Sequence, residues 1–174
     1  MKKFLSLVLA LVMTMSLVTI SAGAKDFTDN DKVTYDEAVQ VISMLGIVNG
    51  YEDGSFKPTN TLTRGAAAKI IANLKLTPAV ADTLKGSKTT FKDVPETNVF
   101  SGYIAYCASE GIINGYRDGT FRPAGTLNGY AFMKMLLGAL GYDTAIEQYT
   151  GSGWEVRVAT RANRVGLTDG NEAF

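Results

Sequence analysis

The sequence predicts a mainly α-helical domain made of repeated helix-loop-helix units. Two observations carry the prediction: a thirteen-residue segment occurs twice, and apolar residues flank each copy at three- and four-residue spacings. GIVNGYEDGSFKP at 46–58 returns as GIINGYRDGTFRP at 111–123. Gly, Asn, Tyr, Asp, Gly, Phe and Pro keep register across that offset, which shared composition does not produce. Each copy is therefore read as one supersecondary unit.

Residues 1–24 read as a secretory signal peptide. Lys2 and Lys3 precede an uncharged apolar run from Phe4 to Ile20, and Ala22-Gly23-Ala24 supplies a small-residue cleavage site. An uncleaved anchor is the alternative, but the run is short for a membrane span of about 20 residues. After cleavage the chain begins at Lys25 and no membrane partner is expected. Fifteen basic residues then face 17 acidic ones, which leaves no basic footprint for nucleic acid. The remaining length is enough for one domain with a core that needs no disulfides. Cys107, the single cysteine, lies in a helical stretch of a chain without histidine, so it reads as a small buried hydrophobe and not as a nucleophile.

The first unit is assigned to residues 25–75. Tyr35, Ala38, Val39, Ile42 and Leu45 form one apolar stripe on a helix that Gly46 ends in a left-handed conformation, as Gly111 does in the second unit, 91–141. Asn49-Gly50 and Asp53-Gly54 each favour positive φ, so the chain turns sharply twice. Tyr51, Phe56, Tyr116 and Phe121 are the expected plugs of these loops. Thr63 and Asn128 are expected N-caps of strongly apolar second helices, 66–74 and 131–140, which form the shared centre. The segment 76–90 is a connector in which Pro78 starts a short helix. A partial third unit, 142–174, contains Trp154, twelve residues before Gly166.

An opening F-x-D, a helix ending in G-I, the loop G-Y-x-D-G-x-F-[KR]-P and an L-T-R lead into a second helix resemble the S-layer homology domain. The resemblance implies a pseudo-threefold, three-pronged helical arrangement, with the third unit incomplete here. It also implies a cell-surface location and grooves between prongs that bind secondary cell-wall polysaccharide, often pyruvylated. Only the third unit keeps the family's aromatic, Trp154, where the first two have Thr34 and Val99. Phe174 is assigned the loop aromatic of that unit, and the missing second helix implies a fragment of a longer surface protein.

An acidic sugar needs a cation for its carboxylate and an aromatic or backbone surface for its ring. Arg64, following N-cap Thr63, offers a guanidinium beside helix-end amides. The unit-two counterpart is Asn128-Gly129, without arginine, and Lys134 lies too far into its helix to be counted as a substitute. The expected polysaccharide-binding set is Arg64, Thr63, Asp29, Gly50, Tyr51, Asp93, Gly115, Tyr116 and Trp154. Asp29 and Asp93 also fit plain capping roles, and Trp154 fits either stacking on sugar or packing. NGYEDGSF lacks the alternating acids and terminal glutamate of a calcium loop, and no segment forms a catalytic cleft, so no metal, cofactor or enzyme activity is expected. Other surface-layer proteins are the alternative partners if the sugar sites have degenerated.

Overall fold

In the computed structural model, which describes residues 26–170, the helices follow the repeat. They are α1 (Asp36–Met44), α2 (Arg64–Leu76), α3 (Pro78–Asp82), α4 (Ser101–Ser109), α5 (Gly129–Ala139) and α6 (Trp154–Arg164). Helices α1 and α4, and likewise α2 and α5, begin one repeat length apart. Among the described residues, extended pairing is limited to one antiparallel bridge between Thr63 and Thr126. The expected signal peptide and the role given to Phe174 fall outside the described residues.

Local signals set the helix ends. The Thr63 hydroxyl accepts the Ala66 amide at 3.3 Å, and the Asn128 side chain accepts the Ala131 amide at 2.8 Å. Gly46 and Gly111 both have φ of 69°, and Ile47 and Ile112 donate back to the carbonyls of Ile42 and Cys107 at 2.9 Å. Pro78 opens α3, where a missing N–H costs nothing.

The two loops close by the same device. Both Asp29 carboxylate oxygens accept amides, from Phe56 at 2.7 Å and Lys57 at 2.8 Å; Asp93 accepts those of Phe121 and Arg122, each at 2.7 Å. These bonds hold Lys57 and Arg122 at φ of 56° and 60°, a region unfavourable for a long side chain, immediately before Pro58 and Pro123. At Gly50 and Gly115 the requirement is space, because an added Cβ would lie 2.4 Å from the rings of Phe27 and Phe91.

The expected tyrosine plugs need correction. Phe121 is buried and Phe56 lies against Phe27 at 5.3 Å between ring centroids, but Tyr51 and Tyr116 are 48% and 43% exposed. Ion pairs explain the difference: Asp53 and Asp118 hold Lys57 and Arg122 at 2.8 and 2.9 Å, which seats each cation over the neighbouring tyrosine ring.

Packing is uneven between the units. The main core joins Ala67, Ala68 and Ile71 of α2 to Ile104 and Cys107 of α4 and Met135 of α5. A second cluster joins Met133 and Leu137 of α5 to Val158 and Ala162 of α6. Thus the first helix of one unit rests on the second helix of the unit before it. The first unit's own cluster is small, comprising Phe27, Val33 and Val39 with Phe56 against them. Among the described residues the third unit contributes a first helix and no second one.

Candidate functional site

Arg64 opens α2, yet its side chain is held by the second unit. Its Nε donates to the Phe121 carbonyl at 2.8 Å and its Nη2 to the Asn114 carbonyl at 3.0 Å. The guanidinium lies 4.3 Å from the Phe121 ring centroid and 5.1 Å from that of Tyr116. Beside it opens a cleft of about 200 Å³ whose lining includes Arg64, Asn114, Ala131, Lys134 and Trp154. Lys134, excluded from the expected set for its depth in the helix, therefore joins Arg64. Its Nζ donates to the Tyr149 carbonyl at 2.7 Å and stands 5.6 Å from the Trp154 ring centroid.

Two partly buried cations share this cleft. Burial lowers the affinity of Lys134 for its proton, and the nearby Arg64 charge lowers it further. Burial likewise acts first on Arg64, partly offset by Tyr116 and Asp93. A bound anion would relieve both effects, so the arrangement is suited to a carboxylate, with Trp154 offering a half-buried apolar face.

The helix end does not contribute as expected. The amides of Arg64 and Gly65 donate to the carbonyls of Gly125 and Pro123, both at 2.9 Å, and that of Ala66 to Thr63. Thr63 is therefore a helix cap and one side of the interunit bridge, and any charge for an anion comes from side chains. Asp29 and Asp93 use their carboxylates to close the loops, while Gly50 and Gly115 make room for phenylalanines. Tyr51 lies on the first unit's loop under Lys57, whereas Tyr116 borders Arg64. Of the expected set, the cleft thus gathers Arg64 and Trp154 with Tyr116 beside them, and adds Lys134 and Asn114. The alignment of Lys134 with Lys69 was the available signal; its proximity to Arg64 had none in the sequence.

A family model described as the S-layer homology domain matches residues 26–68 and 90–129. Each of the two complete units thus carries an S-layer homology match. It is 29% identical over 148 residues to a surface layer protein of Brevibacillus choshinensis, covering 84% of this chain and 13% of that protein. It is 26% identical over 172 residues to a cell surface protein of Thermoanaerobacter kivui, covering 98% and 22%. A cellulosome-anchoring protein of Acetivibrio thermocellus is 40% identical over 76 residues, covering 44% and 17%. The chain thus spans less than a quarter of the length of these relatives. The S-layer homology domain is a non-catalytic structural module, and with these relatives it indicates a cell-surface location. Among the described residues, no helix is long and apolar enough to cross a membrane, and no cluster of three metal-ligating side chains occurs.

Proposed function

We propose that the chain anchors its parent protein to the bacterial cell wall by holding a carboxylate-bearing, pyruvylated secondary polysaccharide in the cleft where the second unit meets Arg64 of the first and Trp154 of the third. The observation that carries this reading is the pairing of Arg64 with Lys134 beside Trp154. Two partly desolvated cations and an indole supply charge for the carboxylate and a surface for the ring. Arg64 retains N–H donors beyond the two that bind backbone carbonyls. The second unit begins its second helix with Gly129, so the equivalent position of the next groove carries no guanidinium. One principal sugar site per chain is the result.

Co-sedimentation with purified sacculi, with and without their secondary polysaccharide, tests the reading. Pelleting should require the polysaccharide and should weaken about tenfold or more in Lys134→Ala and Trp154→Ala, in line with loss of a charge-assisted contact or a stacking face. Arg64→Ala removes ligand contact and the pin on the second loop together, so its melting temperature must be measured beside its binding. Undiminished pelleting by a folded Lys134→Ala variant, or pelleting without polysaccharide, would defeat the proposal.

A further inference from the structure

The segment 143–153, which joins α5 to α6, has no helix of its own and is gripped by cations from both helices. Arg157, one turn into α6, donates Nε to the Gln148 carbonyl at 2.7 Å and Nη2 to the carbonyls of Thr150 and Ser152, both at 3.0 Å. Three of its five N–H groups are thus spent on one short stretch of backbone. The carbonyl that this series skips, that of Tyr149, goes to Lys134 Nζ of α5 at 2.7 Å. At Gln148 the backbone has φ of 56°, a region unfavourable for a long side chain, and Arg157 takes the carbonyl of that same residue.

The repeat sets this arrangement apart. The position of Arg157 on α6 is held by Gly102 on α4 and by Glu37 on α1. In the second unit the preceding connector closes directly on the helix, with the Leu84 carbonyl leaving no room for a Cβ at Gly102. In the third unit a guanidinium bridges helix and connector instead. The Tyr149 ring is buried in the cluster of Met133, Leu137, Val158 and Ala162, which fixes where that residue lies. Pinning the carbonyls on either side of it then fixes which way its own carbonyl faces, because adjoining peptide planes rotate only about the two soft dihedrals between them.

We propose that Arg157 is a positioning residue of the anion cleft: by holding the carbonyls of Gln148, Thr150 and Ser152 it turns the Tyr149 carbonyl onto Lys134, and so seats that ammonium beside Arg64 and Trp154. This rests on the anchoring function proposed above and deepens it. The cleft walls include Lys134 and Trp154 but not Arg157, so Arg157 acts through Lys134 and not on the sugar. With Lys134 seated, the cleft presents two cations at a set separation to one carboxylate, and the ordering cost is met before the ligand arrives.

The test compares the native protein, Arg157→Ala and Arg157→Lys, each with and without Lys134→Ala, in co-sedimentation with polysaccharide-bearing sacculi. Arg157→Ala should weaken pelleting about fivefold in the native background and add almost nothing to Lys134→Ala, since the two residues act in series. Arg157→Lys keeps the charge but cannot fork to three carbonyls, so it should weaken binding nearly as much. Trp154 is the single tryptophan, and Lys134 Nζ stands 5.6 Å from its ring, so its fluorescence reads the same change without sugar. Acrylamide quenching should increase and emission shift to the red in Arg157→Ala, with the circular dichroism spectrum unchanged. Losses that add to those of Lys134→Ala, full binding by Arg157→Lys, or native quenching in Arg157→Ala would each overturn the proposal. If the native protein does not pellet with polysaccharide, the anchoring function fails by itself, and the fluorescence arm still decides the role of Arg157.

Discussion

The two complete units have nearly the same sequence signals and very different surroundings. Helix α4 buries Ser101, Gly102, Tyr103, Ile104 and Cys107, while α1, in register with it, buries Val39 alone. The loops beyond them are alike, each closed by an aspartate that accepts two amides. Local sequence therefore builds the same unit twice, and the helix packed against it decides how much each unit contributes to stability.

Paired substitutions should break the symmetry in a graded way. Ile104→Ala, at a fully buried position, should cost about 3–4 kcal/mol, against about 1–2 for the equivalent Val39→Ala, as measured by chemical denaturation. Equal losses would show that α1 is as firmly packed as α4. Gly102 comes next, because a Cβ there would lie 1.9 Å from the Leu84 carbonyl oxygen. Gly102→Ala should cost about 2 kcal/mol, whereas Glu37→Ala, its counterpart on α1, should stay within about 0.5.

Acid should weaken the loops of both units. Asp29 is held below the usual carboxylate range mainly by the Phe56 amide and Asp53 mainly by Lys57, while the Thr120 hydroxyl and amide, with Arg122, hold Asp118 at about 2. Because each folded-state value lies below the unfolded one, these groups stabilise the protein above the unfolded pKa. That contribution disappears as pH falls through the folded value. Stability should hold above about pH 4 and fall between about 4 and 2, with Asp53→Asn and Asp118→Asn each flattening part of the acid limb. A limb altered by only one of them would assign acid sensitivity to one loop. The smallest effect on folding is a reactivity contrast. Burial pushes the Cys107 thiol up to about 12, so a thiol reagent should leave the native protein untouched. A cysteine introduced by Ile42→Cys should react readily, and equal inertness would mean that α1 is already covered.

Much of the fold was legible because its signals are short-range. Gly46 and Gly111, the caps Thr63 and Asn128, and the proline that opens α3 act within a few residues of themselves. The tyrosines were misread as plugs because aromatic character does not reveal that Lys57 and Arg122 would cover their rings. The left-handed conformations of those two residues were equally hidden, since they depend on aspartates 28 and 29 positions earlier in the chain. For the cleft, Arg64 and Trp154 were identifiable by residue type and position. Lys134 lies too far into its own helix to follow the Thr-Arg pattern, and the partner that matters to it, Arg64, belongs to the preceding unit.

The sequence by itself determined a repeated helical unit, its helix ends and its two-turn loops, because each depends on backbone preferences and hydrogen bonds between near neighbours. Only the tertiary structure decided that Arg64 would be held by the second unit's loop and share a cleft with Lys134 and Trp154. It also decided that α4 would be covered and α1 left exposed. Those outcomes follow from which helices meet, and packing between helices is set by contacts among residues tens of positions apart, for which no local preference exists.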